Sequence, residues 1–90
     1  MRLDKFLKVS RIIKRRTIAK SVSDLGLIKI NGKIGKPSSE VKIDDVLELH
    51  LGERVLLVKV KSLELIKNKK QAQEMFEIIK DEVIEMPFNS

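Results

Sequence analysis

The sequence predicts an α+β domain in which two short N-terminal helices pack on a small, mostly antiparallel sheet, followed by a C-terminal helix. Near the N-terminus, apolar residues recur every three or four positions, which is the spacing of one helix face. Residues 46–61 alternate apolar and polar side chains on both sides of a Gly-Glu pair, which is typical of a β-hairpin. Helices this short are unstable alone in water, so we expect them to pack on the sheet.

The first predicted helix has two different faces. Leu3, Phe6 and Leu7 recur at i, i+3 and i+4, so they form one packing stripe. Basic residues fall away from this stripe on neighbouring turns. They are Arg2, Lys5 and Lys8.

A second helix is predicted to begin at Thr17, whose hydroxyl can accept a hydrogen bond from a free amide of the first turn. Gly26 fits the left-handed position that ends a helix. The apolar positions between them repeat at i, i+4 and i+7, and we expect them to be buried. They are Ile18, Val22 and Leu25.

Three short segments supply the predicted sheet. Residues 27–30 form an apolar run before Asn31-Gly32, which is a strong signal for a tight turn. Residues 46–51 alternate, with leucines on one face. Gly52-Glu53 suits a two-residue type II′ turn, after which residues 55–61 return as the partner strand.

A third helix is predicted over residues 67–90, which we separate from a first unit of residues 1–66. Asn68 can cap this helix, with Gln71 at the reciprocal position, and Pro87 would end it. The apolar positions with helical spacing are Ala72, Met75, Phe76, Ile79, Val83 and Met86. The opposite, acidic face consists of Glu74, Glu77, Asp81 and Glu85.

The composition argues against several classes of protein. With no Cys and a single histidine, His50, the chain lacks the residues for disulfide scaffolds, thiolate zinc sites or a histidine triad. Asp44 and Asp45 are adjacent without a completing motif, so we interpret them as turn residues and expect no enzyme, cofactor or metal site. No apolar run approaches the roughly 18 residues of a membrane span, and the N-terminal sequence MRLDKFLKVS lacks the apolar region typical of a signal peptide. We therefore expect a soluble cytoplasmic protein.

Positive charge is concentrated in the first 36 residues. They carry eleven basic side chains and two acidic ones, a net charge of +9, whereas the whole chain has +6. Such a segment favours a polyanionic partner that is bound through its phosphates. Aromatic residues are 3% and all are Phe, which favours recognition of the backbone and shape of a folded RNA over base stacking. The candidate contacts are Arg2, Lys5, Lys8, Arg11, Lys14, Arg15, Arg16, Lys20, Lys33 and Lys36.

A series of motifs runs through residues 1–51: RLDKFLKVSR, KRRTIAKSVSDLG, IKINGK and VKIDDVLEL. Their order resembles the ribosomal protein S-four type of RNA-binding domain. The matching positions are Arg2-Leu3-Asp4, Arg16, Ala19, Gly26, Ile30-Asn31-Gly32, Val41 and Asp45. This chain departs from the family pattern at Asp44, where Gly is usual, so we expect a slightly weaker turn there.

The resemblance implies a non-enzymatic ribosome factor. Small stand-alone members of the family act in bacterial ribosome-associated quality control. By that likeness, the protein would bind large ribosomal subunits obstructed by peptidyl-tRNA, contact large-subunit rRNA and the tRNA in the peptidyl position, and cooperate with an RqcH-type elongation factor during alanine tailing. Arg2 and Arg16 would be the leading RNA contacts, and Asp4 would orient a nearby arginine. We expect a monomer that does not bind membranes.

Two other functions stay open at this point. One is a general heat-shock-type chaperone that binds ribosomes or tRNA without a role in tailing. The other is a protein-interaction adaptor that uses the acidic C-terminal helix, while the basic segment has no specific partner.

Overall fold

Three α-helices and a five-stranded antiparallel sheet make up the part of the chain that the computed structural model describes, residues 1–64 and 68–83. The strand order is β2-β1-β3-β4-β5, which confirms the predicted α+β class. No helix within these described ranges is long and apolar enough to cross a membrane. In chain order the elements are α1 (Leu3–Val9), α2 (Arg16–Asp24), β1 (Ile28–Ile30), β2 (Lys33–Ile34), β3 (Val46–Leu51), β4 (Arg54–Val60), α3 (Lys69–Ala72) followed by a 3₁₀ turn (Gln73–Met75), and β5 (Phe76–Val83).

One face of the sheet and the apolar stripe of α1 form the core. The stripe is fully buried, as its helical spacing predicts. The alternating strands bury one face each, because successive side chains of a strand point to opposite sides. Burial of these apolar side chains supplies the main stabilising force of the fold. The core includes Leu3, Phe6, Leu7, Ile28, Val41, Leu47, Leu49, Val58, Val60 and Met75.

The predicted cap at Thr17 is wrong, because α2 begins one residue before it. Arg15 is the N-cap residue, with extended φ and ψ angles of −112° and 125° and no side-chain cap. The Ala19 amide donates to the Arg15 carbonyl at 3.0 Å, and this first helical hydrogen bond places Thr17 inside the first turn.

The predicted apolar stripe of α2 is wrong at two of its three positions, whereas Val22 is half-buried and packs against the core. Ile18 is 47% exposed and Leu25 is 72% exposed. The buried face is rotated by one residue and carries Ala19 and Ser23. These small side chains allow α2 to lie close to the core, and the Ser23 hydroxyl donates to the Ala19 carbonyl at 2.7 Å, so its burial leaves no unpaired group.

The end of α2 agrees with the sequence. Gly26 has a φ of +74°. The Leu27 amide donates to the Val22 carbonyl and the Gly26 amide to the Ser23 carbonyl, each at 3.1 Å. This pair of hydrogen bonds is a Schellman motif, which reverses the chain into β1.

Asn31 links two turns of the sheet. Its φ of 51° and the 84° of Gly32 give the two left-handed residues of a type I′ turn between β1 and β2. The Asn31 side chain accepts from the Val46 amide at 2.9 Å and donates to the Asp45 carboxylate at 3.0 Å. That carboxylate also accepts from the Lys42 amide at 2.8 Å. The Asn-Gly and Asp positions of the family motif are therefore structural.

The two aspartates and the second tight turn are placed as predicted. Asp44 and Asp45 precede β3 in a turn, and Asp44 has a φ of 74°. A left-handed conformation at this position accounts for the usual Gly of the family. Gly52 has a φ of 64° and Glu53 does not have a positive φ, as a type II′ turn requires between β3 and β4.

The predicted C-terminal helix is correct only in its first turn. The Asn68 side chain accepts from the Gln71 amide at 2.8 Å, as predicted for its cap. From Phe76 onward the helix prediction is wrong, because residues 76–83 form β5 and pair with β4. This pairing satisfies the outer edge of β4, and β-branched Ile78 and Ile79 favour an extended backbone. The predicted positions Glu85, Met86 and Pro87 lie outside the described residues.

We predict that Asn31→Ala lowers the free energy of unfolding by about 1–3 kcal/mol, because the Val46 amide and the Asp45 carboxylate lose a partner and Ala tolerates a positive φ poorly. Asn31→Gly separates the two causes, since Gly accepts the backbone conformation but makes neither side-chain bond. Urea unfolding of both variants measures the difference. Wild-type stability of Asn31→Gly would show that the side-chain bonds contribute nothing.

Asp44→Gly is expected to raise the free energy of unfolding by about 0.5–1 kcal/mol, because Gly adopts the left-handed conformation without the Cβ penalty. The Asp44–Lys59 ion pair at 3.7 Å is exposed, so its loss costs little. Thermal unfolding compares this variant with Asp44→Asn, which removes the charge but keeps a side chain. An equal rise for both variants would assign the gain to charge instead of backbone conformation.

Candidate nucleic-acid interface

A buried carboxylate, that of Asp4, holds the side chains of two arginines. Asp4 is 2% exposed. Its Oδ1 and Oδ2 accept from Arg2 Nε at 3.2 Å and Arg2 Nη2 at 3.3 Å. Arg16 Nε lies 3.7 Å from Oδ2, and the Lys5 amide donates to Oδ1 at 2.8 Å. The predicted role of Asp4 in orienting a nearby arginine is confirmed.

This carboxylate hydrogen-bonds one guanidinium group, that of Arg2, and forms a longer ion pair with a second, that of Arg16, from another helix. Arg2 is the N-cap residue of α1, and Arg16 is the first residue of α2. Their side chains are 52% and 49% exposed, so both keep donors that face solvent. A guanidinium presents its N–H groups as a planar fork that matches the oxygens of a phosphate. The arrangement can therefore present two such forks at a set separation.

A first basic groove, lined by Arg2, Lys20 and Lys36, has a volume of about 420 Å³. These residues come from the start of α1, from α2 and from the loop after β2. Gly35 packs this loop against the core, since a Cβ there would lie 3.0 Å from Leu3 Cδ2 and 3.1 Å from an Ile30 side-chain carbon. The close approach favours glycine, because a side chain here would displace Leu3 or Ile30 by a few tenths of an ångström, and the loop places Lys36 at the groove.

A second basic group lies at the turn between α1 and α2. Lys8, Arg11 and Lys14 line one recess. Arg11 and Lys14 also line an adjoining recess of about 260 Å³ together with Lys69 of α3. Arg11 has a φ of 63°, a conformation that costs a non-glycine residue about 1–2 kcal/mol. The backbone conformation at this position would favour glycine, yet the turn carries a charged side chain there.

The structure thus divides the ten candidate contacts into unequal sets. Arg2, Lys20 and Lys36 share the first groove, and Arg16 joins them through Asp4. The second group contains Lys8, Arg11 and Lys14. The candidates that line neither region are Lys5, Arg15 and Lys33; Lys5 is half-buried and the other two are exposed.

Sequence reasoning missed Lys69 in the second group. It lies beyond the basic N-terminal segment, in the part that was assigned to an acidic helix. The Asn68 cap was the available signal, because a cap followed at once by Lys69 and Lys70 puts positive charge on the first turn of α3. Nothing in the sequence pattern indicated that this turn would face Arg11 and Lys14.

Charges on the sheet are engaged in local ion pairs. Glu48 contacts the His50 ring at 2.8 Å and Lys29 Nζ at 3.8 Å. The hydrogen bond from His50 lowers the pKa of Glu48. Arg54 hydrogen-bonds Asp81 across β4 and β5 and lowers the pKa of that carboxylate. His50 is half-exposed and pairs with Glu48 on the surface of the sheet.

Comparison with known proteins shows which family this chain belongs to. The model of the S4 domain matches residues 1–47. The chain is 51% identical to the RQC P-site tRNA stabilizing factor of Streptococcus pneumoniae, over 94% of this chain and 97% of that one. The Bacillus subtilis protein of the same name is 51% identical over 91% and 95%. The solved structure of heat shock protein 15 from Vibrio cholerae is similar with a TM-score of 0.79 and 26% identity, over 87% of this chain and 80% of that one.

Asp4→Ala is expected to lower the free energy of unfolding by about 1–3 kcal/mol, because the buried carboxylate accepts charged and backbone hydrogen bonds. Arg2→Ala and Arg16→Ala should each change it by less than about 1 kcal/mol, since both side chains are half exposed. Chemical unfolding of the three variants tests this ranking. Equal losses of unfolding free energy in all three variants would show that the two arginines stabilise the fold, and would contradict their interpretation as side chains available to a ligand.

Proposed function

The chain belongs to the S4 domain family, and on this premise we propose that it binds the large ribosomal subunit and the tRNA in its peptidyl position during ribosome-associated quality control. Relatives named RQC P-site tRNA stabilizing factor support the proposal, because they match this chain over almost their whole length. The proposed ligands are large-subunit rRNA and peptidyl-tRNA on an obstructed subunit.

One observation carries the proposal: Asp4 holds the guanidinium groups of Arg2 and Arg16 beside a basic groove. An RNA backbone presents phosphates at regular intervals, and each phosphate that a cation neutralises releases counterions and adds affinity. Cations fixed at set positions lose less side-chain entropy on binding than freely moving ones. The arrangement therefore favours a folded RNA whose phosphates match these positions.

The proposed mechanism is stabilisation without chemistry. Binding to a particle that already carries tRNA in the peptidyl position lowers the free energy of that state and slows the loss of the tRNA. We propose that the protein acts in the cytoplasm as a monomer. An RqcH-type elongation factor would add alanine residues to the stalled chain on the same particle.

A second candidate function has structural support of its own. The fold similarity to heat shock protein 15 favours a general ribosome-binding or tRNA-binding chaperone. The adaptor alternative is weakened in the form first considered, because residues 76–83 form an edge strand of the sheet and not an exposed acidic helix.

The proposal is tested by co-sedimentation with purified large subunits, with and without peptidyl-tRNA, across a salt series. We expect strong preference for the particle that carries tRNA and weaker binding at higher salt. Equal binding to empty and occupied particles would favour the general chaperone. Absence of binding to either particle at low salt would overturn the ribosome proposal.

In the same assay, Arg16→Ala should weaken binding several-fold and reduce the slope of log affinity against log salt by about one, because one phosphate contact is lost. Lys80→Ala is the matched control, since it removes the same charge from exposed β5 at the far edge of the sheet. Equal effects of the two variants would assign the loss to net charge and contradict a specific contact of Arg16.

A further inference from the structure

An acidic residue, Asp24, lies in the first basic groove. It is the last residue of α2 and shares the groove lining with Arg2, Lys20 and Lys36. A carboxylate at a helix C-terminus is unfavourable, because the helix dipole places negative charge there. Among the described residues Asp24 makes no ion pair within 4.0 Å, although Lys20 lies one turn before it. The fold therefore gains little from this charge, and it also weakens binding of a phosphate.

Part of the remaining wall of the same groove is apolar, and Ser23 and Ser38 complete the lining. Ile34 projects from β2 with 67% exposure. Gly26, Gly35 and Pro37 also line the groove. At the two glycines no side chain extends into it. Cations, a free carboxylate and an apolar wall thus meet in one open groove of about 420 Å³.

These groups match the phosphate, the face of the base and a donor on the edge of the base of one unpaired RNA nucleotide. We propose that the first basic groove binds such a nucleotide, with its phosphate at Arg2, Lys20 and Lys36 and its base against Ile34. The Asp24 carboxylate accepts a hydrogen bond from an exocyclic amino group of that base. This inference rests on the proposed RNA-binding function and adds a base contact to it.

Charge complementarity selects a nucleotide over an acidic peptide. Both ligands would be attracted by the three cations. Asp24 would repel the carboxylates of such a peptide and could accept only from its backbone N–H groups, whereas the exocyclic amino groups of cytosine, adenine and guanine can donate to a carboxylate from the same nucleotide that carries the phosphate. Uracil has no exocyclic amino group and can donate only through its ring N3–H, so a contact made to an exocyclic amino group should favour the other three bases over uracil.

The test uses RNA hairpins that differ at one bulged position: cytosine, uracil, an abasic site, or no bulge. At low salt a basic protein binds any hairpin through its phosphates. We expect the wild-type protein to bind the cytosine-bulge hairpin about 10-fold tighter than the fully paired one. The uracil and abasic hairpins should lose most of that gain.

Asp24→Asn separates a base contact from a charge effect. The amide can donate as well as accept, so the preference for cytosine over uracil should disappear while the fully paired hairpin binds as well as before or better. Glu53→Gln is the matched control, since it makes the same charge change on the exposed β3–β4 turn and should keep the preference. Tighter binding of Asp24→Asn to every hairpin by one common factor would overturn the base contact.

The apolar wall is tested separately. Ile34→Ser should reduce the cytosine-bulge gain several-fold, whereas Ile43→Ser, at an exposed isoleucine outside the groove lining, should not.

Equal wild-type affinity for all hairpins, together with weaker binding of Arg2→Ala, would overturn the nucleotide site and leave RNA binding intact. Absence of binding to every hairpin and to large subunits would overturn the proposed function itself. Binding of an acidic peptide in competition with the paired hairpin, without any bulge preference, would assign the groove to a protein partner.

Discussion

The first basic groove depends on a set of backbone hydrogen bonds between the first residues of the chain and the loop after β2. The Leu3 amide donates to the Ser39 carbonyl at 2.8 Å and the Asp4 amide to the Pro37 carbonyl at 3.2 Å. The Val41 amide in turn donates to the Met1 carbonyl at 2.8 Å. Amides at a helix N-terminus have no partner within the helix, so this loop satisfies them and sets the position of α1. The same contact brings Arg2 and Lys36, which are far apart in sequence, to one groove.

Asp4 makes that position compatible with a dense group of cations. Two guanidinium groups close together repel each other, and a buried carboxylate without partners would be costly. The carboxylate forms ion pairs with Arg2 and Arg16 and offsets their repulsion, while Arg2 and the Lys5 amide satisfy its oxygens by hydrogen bonds. Because both arginines are half exposed, the net positive charge still faces solvent. The acid in the Arg-Leu-Asp motif would therefore support the proposed phosphate binding from beneath the surface.

The sequence predicted those elements whose local pattern agrees with their tertiary environment. Three predictions were correct because the spacing of apolar residues and the turn residues favoured a single structure. They are the α1 stripe, the β3–β4 hairpin and the Asn31-Gly32 turn. The α2 stripe failed, since close packing through Ala19 and Ser23 outweighed burial of the larger Ile18 and Leu25. The helix beyond residue 75 failed because apolar spacing cannot show that the edge of β4 lies nearby and needs a partner strand. For the site, charge identified the segment, but only the fold could bring Lys69 to Arg11.

The family motif combines residues of two kinds, one that stabilises the fold and one that presents charge. Asn31, Asp45 and Gly26 hold turns that form the scaffold, whereas Arg2 and Arg16 present charge on it. Phosphate contacts alone give affinity for any RNA and little discrimination among RNAs. Selectivity needs groups that are favourable only with the correct ligand, and these include groups that weaken binding of the wrong one. An unpaired Asp24 within a basic groove has this property, because it opposes a phosphate and favours a donor on a base.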